Sequence, residues 1–464
     1  MSWKETCVRV GDGHFVLPRT KGMRVDVDLF LSDKLFWGTG EPLGGATERF
    51  DTGVEEAVFA QFVSAASLPG VTRVVGMPDT HVGYGVPIGC VIESADTLYP
   101  TAAGYDIGCG MDMLVTTLTA DDVADPEKRR RWCAAVAQTV GLGVGVGGQS
   151  RTLRDVRDVL RYGAQALGVP RGEHSERDYL PVLNFDEADL PERARGKVSQ
   201  LGSLGGGNHF MELELGDDGR VYVMVHTGSR GFGYQIAKSF FDAGAELLGL
   251  PRGSEDDVWL DGESGLGHAY WNQHNVAGNF AIANRVVIAQ QVARVTEEVF
   301  GGEAKLFYEI SHNLIQRESG KLVARKGATR AFPAGHPDLE GTCWESTGHP
   351  ILTPGSMRDG SAILYALAPV EDGSVDGAAK SAYSVNHGAG RRLSRGVAKR
   401  SLSQRDVDLE MATLGIAMNT ALTPLEESGD AYKPLDDVLA AVEEAGLARV
   451  AVRLRPLAVV KGND

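Results

Sequence analysis

The chain has 464 residues, 43% of them hydrophobic, and a formal net charge of −16 at pH 7. This acidic balance argues against a general nucleic-acid coat, because binding phosphates requires cations. No run reaches the roughly 20 apolar residues of a membrane span, the first residues lack a signal-peptide core, and five scattered cysteines indicate thiols in a reducing cytoplasm.

The predicted elements alternate between glycine-rich strands and a few helices. Helical periodicity marks residues 54–68, 125–167 and 268–300. Residues 435–460 are typical of a helix that ends near Gly446 and is followed by a strand. With no internal repeat, we expect one α+β domain over residues 1–464, with a helical surface insertion at about 120–197.

Asp106 and Cys109 lie in the sequence Gly-Tyr-Asp-Ile-Gly-Cys-Gly (104–110) and are typical of half a metal site. Three other segments run through apolar residues to a histidine and then into Gly, Ser or Asn; they end at His226, His312 and His387. A carboxylate, a thiolate and imidazoles suit zinc, manganese or iron.

A hairpin is predicted at 208–227, where Gly-Asp-Asp-Gly-Arg separates two apolar segments. A turn centred on Asp217 and Asp218 places His209 opposite His226. A turn centred one residue later makes the two histidines diagonal neighbours. Either register brings both imidazoles to one end of the hairpin, close enough to share a metal.

His387 has a different context, because Gly-Ala-Gly-Arg-Arg-Leu-Ser-Arg follows it and predicts a glycine turn that enters a helix. A helix N-terminus beside arginines is a phosphate site. An imidazole there can act as a general base or attack phosphorus itself. An isolated histidine at a strand end is more often structural, and we interpret the remaining histidines in this way. Two basic clusters, 391–400 and 325–330, are by themselves typical of solvated helix faces, but the position of the first beside His387 favours a functional role.

Taken in order, the motifs resemble the RtcB family of GTP-dependent RNA ligases, which join a 3′-phosphate or 2′,3′-cyclic phosphate end to a 5′-hydroxyl end. The resemblance runs from about residue 75 to the final Lys-Gly. Its motifs are Met-Pro-Asp-Thr-His-Val-Gly-Tyr-Gly-Val-Pro-Ile-Gly (77–89), Gly-Tyr-Asp-Ile-Gly-Cys-Gly-Met (104–111), Gly-Gly-Gly-Asn-His-Phe-Met-Glu (205–212), His-Thr-Gly-Ser-Arg-Gly (226–231), Ser-His-Asn (311–313), Arg-Lys-Gly-Ala-Thr-Arg-Ala (325–331), Asn-His-Gly-Ala-Gly-Arg (386–391) and Ala-Tyr-Lys (431–433).

The resemblance implies an RtcB-type fold with mixed and antiparallel sheets around a central metal cleft, two manganese ions, and GTP as cosubstrate. It implies that His387 takes GMP from GTP. The implied metal ligands are Asp106, Cys109, His209, His226 and His312. The implied nucleotide contacts are Asn208, Glu212, Arg230, Ser361, Gly388, Ala389, Gly390, Arg391, Tyr432 and Lys461. Asp79 and His81 are expected to support the cleft.

The implied activity is GTP-dependent joining of RNA ends in RNA repair or tRNA splicing, with RNA ends as partners. An activating protein partner cannot be identified from the sequence. Arg358-Asp359 departs from the family pattern near the expected guanine pocket, and an acidic, glycine-rich stretch (370–379) follows it. Two rival interpretations stay open: a dinuclear metal-dependent phosphoesterase or nuclease with a metal-bound water as nucleophile, and a non-catalytic scaffold with a structural metal.

Overall fold

The computed structural model describes residues 2–20, 22–38, 53–148, 153–170, 172–175, 179–183, 185–251, 257–368 and 377–462. Within these ranges the chain combines helices with mostly antiparallel sheets, which confirms the predicted α+β class. Most of the acidic stretch at 370–379 lies outside the described residues.

The first sheet carries strands from the N-terminal part of the chain and from residues 313–326. Its pairs are antiparallel except Val27–Phe30 with Val71–His81. In spatial order its described strands are Val8–Gly11, His14–Leu17, Val27–Phe30, Val71–His81, Ile88–Ser94, Lys321–Lys326 and Asn313–Glu318.

The second sheet contains the metal-ligand segments. Its described strands, in spatial order, are Ala304–Ser311, Gly110–Thr119, Arg220–Thr227, Phe210–Gly216, Ala448–Lys461, Ser361–Ala366 and Pro350–Pro354, with Ala417–Met418 parallel to Ala448–Lys461. Short pairs join Thr97–Leu98 to Leu260–Asp261, Gly141–Leu142 to Ser203–Gly205, and Ala328–Arg330 to Ser384–Asn386.

Helices surround these sheets. The described α-helices are Trp3–Thr6, Asp33–Trp37, Glu56–Ser67, Pro100–Ala103, Pro126–Thr139, Leu153–Tyr162, Glu192–Arg195, Arg230–Leu247, Gly265–Phe300, Gly377–Lys380, Arg395–Ser401, Gln404–Leu414 and Leu435–Glu444. Short 3₁₀ turns lie at Gly163–Leu167, Glu187–Asp189, Val198–Gln200, Pro337–Leu339, Leu425–Glu427 and Gly429–Ala431.

The long helix Gly265–Phe300 connects the two sheets. The Ser264 side chain caps its start by accepting from the Gly267 N–H at 3.0 Å, and Gly301 ends it with a left-handed φ of 88°. Its first half packs in the core of the first sheet, and its second half, from Ile288, packs in that of the second sheet. Among the described residues, no helix has both the length and the apolarity to cross a bilayer.

The hairpin differs from both predicted registers. Phe210, not His209, lies opposite His226, because the strands are joined by a three-residue loop at 217–219 with a left-handed Gly219. A loop one residue longer shifts the pairing by one position. His209 and His226 are nevertheless close together, as predicted, with ring centroids 5.1 Å apart.

The segment 125–167 is not one continuous helix. Helix Pro126–Thr139 ends before a glycine-rich segment, and helix Leu153–Tyr162 follows it. The first helix buries Trp132, whose indole N–H donates to Thr296 of the long helix at 2.9 Å. The domain organisation stays a prediction, but the described residues of the expected insertion contribute buried side chains to the core.

Candidate metal centre and nucleotide cavity

The loop between helix Pro100–Ala103 and strand Gly110–Thr119 carries Asp106 and Cys109. The Cys109 N–H donates to the Asp106 carbonyl at 3.1 Å, and the Ser229 N–H donates to Oδ1 of Asp106 at 2.9 Å. These bonds fix the loop against the end of strand Arg220–Thr227. The loop therefore presents a carboxylate and a thiol at the end of the second sheet.

Two predicted ligands, His209 and His226, converge on this loop. Sγ of Cys109 lies 3.4 Å from Nε2 of His209 and 3.3 Å from Nε2 of His226. The Cys109, His209 and His226 ligand atoms all lie within 4.8 Å of one another, and the three residues are buried. Oδ2 of Asp106 is 3.2 Å from Nε2 of His209. A thiol, two imidazoles and a carboxylate at this spacing fit a transition-metal ion.

The imidazoles are oriented by their second nitrogen. Nδ1 of His226 is 3.1 Å from the Asn208 carbonyl, and Nδ1 of His209 is 3.1 Å from the Leu204 carbonyl. A carbonyl only accepts, so the His226 contact places its proton on Nδ1 and leaves Nε2 with its lone pair, whereas Nδ1 of His209 also meets a donor, the Arg230 guanidinium, at 2.7 Å. The His312 ring lies 5.2 Å from that of His226, and among the described residues no group hydrogen-bonds to its buried Nδ1.

The electrostatics favour metal binding. Burial lowers the pKa of His209, and lowers those of His226 and His312 well below the usual range, so the imidazoles are neutral. Burial opposes ionisation of Asp106, yet the contact with His209 lowers its pKa below the usual range. Burial and the nearby Asp106 raise the pKa of the Cys109 thiol, and a bound cation would reverse that shift.

His387 adjoins this cluster. Its ring centroid is 4.7 Å from that of His312, and its Nδ1 is 2.7 Å from Oδ2 of the buried Asp79. Gly390 has a left-handed φ of 74°, and a side chain there would collide with the Asp79 backbone. The close approach of the glycine turn to Asp79 thus keeps His387 beside the carboxylate. The helix predicted to start at this turn instead begins at Arg395, because Arg391 forms a β-bridge with Tyr432.

A cavity of about 640 Å³ extends from His226 and His387. Eight of the predicted nucleotide contacts line it: Asn208, Glu212, Gly388, Ala389, Gly390, Arg391, Tyr432 and Lys461. Burial raises the pKa of Glu212 to about 7, although the Lys461 ammonium partly opposes the shift. Further lining comes from Phe210, which was not predicted, and from Arg395 and the segment 354–357, which belong to segments expected near the site.

Two predicted nucleotide contacts lie elsewhere. Ser361 is buried next to Glu214. Burial, together with the negative charge of the nearby Glu212, raises the pKa of Glu214 well above its usual range. Arg230 lies against the metal cluster, with a guanidinium nitrogen 2.7 Å from Nδ1 of His209. Neither residue lines the cavity. Gly205 allows this position of Arg230, because a side chain there would overlap the guanidinium.

Glu427 is a cavity residue that the sequence analysis missed. Its Oε2 accepts from the Tyr432 hydroxyl at 2.6 Å and from the Lys461 ammonium at 2.9 Å, while Oε1 accepts from Arg391 at 3.2 Å. Burial would raise its pKa, but the Lys461 and Arg391 cations hold the pKa below its usual value. This buried carboxylate fixes three predicted nucleotide contacts in one arrangement.

Arg285 is a second missed residue, located behind the metal cluster on the long helix. It is fully buried and donates to Oδ1 of Asp112 at 3.1 Å, to the Gly108 carbonyl at 2.6 Å and to the Thr227 carbonyl at 3.2 Å. It also donates to Glu309 and, at 2.8 Å, to Ser311. One side chain therefore joins the ends of the strands that carry Cys109, His226 and His312.

The 325–330 cluster differs from the solvated face that its sequence indicates, whereas the 391–400 cluster lies at the site, as its position beside His387 suggested. Arg325 and Arg330 are buried, and Arg325 donates to both carboxylate oxygens of Glu318 at 2.6 and 2.8 Å. Arg391 and Arg395 line the cavity. Arg358, the departure from the family pattern, lies outside the cavity lining and donates to Asp430 at 2.8 Å.

Comparison with known proteins identifies the family. A family model described as tRNA-splicing ligase RtcB matches residues 61–462. A tRNA-splicing ligase RtcB of Thermococcus kodakarensis is 35% identical over 88% of this chain and 92% of its own length. An RNA-splicing ligase RtcB homolog 1 of Entamoeba histolytica is 32% identical over 95% of this chain and 90% of its own length. A tRNA-splicing ligase RtcB of Nanoarchaeum equitans is also 32% identical, over 96% of this chain and 97% of its own length. The chain belongs to the RtcB family of RNA-splicing ligases.

Proposed function

We propose that this protein joins an RNA 3′-phosphate or 2′,3′-cyclic phosphate end to a 5′-hydroxyl end, using GTP and manganese, in RNA repair or tRNA splicing. The observation that carries the proposal is the placement of His387, between Asp79 and the His312 ring and on the wall of a nucleotide-sized cavity. Membership of the RtcB family supports the RNA-ligase class.

The proposed metal ligands are Asp106, Cys109, His209, His226 and His312. These residues would hold the two proposed manganese ions through a carboxylate, a thiolate and imidazole nitrogens. When bound, the ions would supply positive charge that neutralises the phosphates. Cys109 and the Nε2 atoms of His209 and His226 already meet in one place, so little rearrangement is needed.

In the first step, a neutral His387 attacks the α-phosphorus of GTP through Nε2. A phosphorus–nitrogen bond forms, the bond to the β-phosphate oxygen breaks, and pyrophosphate leaves. Oδ2 of Asp79, 2.7 Å from Nδ1, orients the ring and stabilises the positive charge that the attack creates. The ionised Glu212 accepts from the guanine N–H groups, and Tyr432, Lys461, Asn208 and the turn 388–391 hold the remaining groups.

In the second step, an RNA 3′-phosphate oxygen displaces His387 from the guanylate, which restores the imidazole and activates the RNA end. The 5′-hydroxyl then attacks the RNA phosphorus, loses its proton, and expels GMP. A 2′,3′-cyclic phosphate would first be hydrolysed to the 3′-phosphate. Arg230, whose guanidinium lies 2.7 Å from His209, would contact a phosphate at the metal centre.

Incubation with α-labelled GTP and manganese tests the proposal. The protein should acquire acid-labile label that His387→Ala abolishes, whereas His268→Ala, a matched loss of an exposed histidine on the long helix, should label normally. Supplying 3′-phosphate and 5′-hydroxyl RNAs should yield a joined product. Release of inorganic phosphate from RNA without protein labelling would instead support the phosphoesterase interpretation and contradict the proposal.

A further inference from the structure

Tyr84, Tyr105 and Tyr234 form a continuous aromatic surface, which we call the tyrosine patch. The Tyr105 ring centroid lies 5.0 Å from that of Tyr84 and 5.0 Å from that of Tyr234, and its plane is within 25° of the Tyr234 ring. Phe241 supports Tyr105 from the core at 4.9 Å. Tyr84 and Tyr234 are nevertheless 38% and 41% exposed. The patch is therefore ordered by packing and still accessible from solvent.

The patch adjoins the candidate metal centre on one side and the cavity on the other. Tyr105 directly precedes Asp106 in the chain, so their Cα atoms are about 3.8 Å apart. Tyr84 follows Val82 by two residues, and Val82 lines the cavity. Tyr105 and Tyr84 are therefore carried by the same two loops that carry a metal ligand and a cavity residue.

Cations lie on either side of Tyr234 along helix Arg230–Leu247. Lys238 is four residues after it, on the same helix face, whereas Arg230, four residues before it, starts the helix with a left-handed φ of 56° and directs its guanidinium to His209. Lys238 is exposed and pairs with Asp242 at 2.9 Å. The helix thus carries one exposed cation on the face of Tyr234 and a second cation at its start, next to the metal centre.

We propose that the tyrosine patch stacks the bases of a single-stranded RNA end as that end enters the metal centre; the inference rests on the proposed RNA-ligase function. Base faces stack on aromatic side chains regardless of sequence, which suits an enzyme that must accept whichever bases adjoin a break. A phosphate next to a stacked base would face Lys238, and a phosphate at the end that reaches the metal centre would face Arg230. The patch is a positioning surface for RNA and takes no part in guanylate transfer.

Fluorescence anisotropy with short single-stranded RNAs, one ending in a 3′-phosphate and one in a 5′-hydroxyl, tests the proposal. Tyr84→Ala and Tyr234→Ala should each weaken binding of at least one RNA by about tenfold. Tyr→Phe at the same positions should retain binding, and Tyr→Leu should not. Tyr162→Ala, which removes another exposed tyrosine in a different helix, should bind like the unaltered protein.

An RNA with abasic nucleotides next to its end separates stacking from general loss of structure. It should bind the unaltered protein and the alanine variants equally, because it has no bases to stack. The proposal is overturned if the alanine variants bind normal RNA fully, if leucine restores binding as well as phenylalanine, or if abasic RNA shows the same loss. Labelling by GTP without RNA should be unchanged in these variants. If the unaltered protein neither labels nor joins RNA yet shows patch-dependent binding, the ligase proposal fails and RNA recognition stands.

Discussion

Replacing Arg285 by methionine is expected to destabilise the protein by about 3–5 kcal/mol. Arg285 and Asp112 are fully buried, and Glu309 nearly so, so the variant would leave two carboxylates in the core without their cation. The Gly108 and Thr227 carbonyls would lose a donor as well. Because these groups hold the strand ends at the metal cluster, manganese binding should fall together with stability.

The free energy of unfolding can be obtained from urea unfolding followed by tryptophan fluorescence. Arg294→Met, which removes an exposed arginine from the same helix, should cost less than about 0.5 kcal/mol. Burial raises the pKa of Asp112 and the Arg285 cation opposes that rise, so removing the cation raises this pKa further and makes ionisation of Asp112 more costly in the folded variant than in the unaltered protein. The stability deficit of Arg285→Met should therefore grow as the pH rises. A loss no larger than that of Arg294→Met, or one independent of pH, would refute this reasoning.

Three further predictions concern the site itself. Cys109→Ser should weaken manganese binding at least about 100-fold, measured by calorimetry; unchanged affinity would exclude Cys109 as a ligand. Because burial raises the pKa of Glu212 to about 7, GTP affinity should rise as the pH increases through 7, where the side chain becomes a carboxylate that accepts from guanine. Glu212→Gln should weaken GTP binding and make the affinity less dependent on pH. Gly390→Ala should lower stability by about 1–3 kcal/mol and slow labelling by GTP, whereas normal labelling would show that the turn does not position His387.

The sequence predicted those features that depend on local pattern. The long helix and the C-terminal helix and strand follow from periodicity and from a terminating glycine, and the structure confirms them. Histidines at strand ends also predicted a convergent cluster, because neighbouring strand ends share one edge of a sheet. The hairpin register was wrong by one position, because Asp-Asp-Gly fits loops of two or three residues equally well.

The sequence could not identify side chains whose roles depend on partners distant in the chain. Arg285 resembles any charged residue on a helix until the fold brings Asp112 and Glu309 against it. Glu427 lies in an acidic segment typical of solvent exposure, yet it is buried between Tyr432 and Lys461. In both cases the burial of charge is compensated by tertiary contacts, which composition and spacing do not encode.

The most direct test of covalent guanylate transfer is a single-turnover chase. Protein labelled with α-labelled GTP is freed of unbound nucleotide and divided into two portions. One portion is digested to locate the label, and the other is mixed, intact, with RNAs bearing 3′-phosphate and 5′-hydroxyl ends. The label should map to His387 and leave as GMP while an equivalent amount of RNA is joined without added GTP. Label located on another residue, or joining that leaves the label on the protein, would contradict the role assigned to His387.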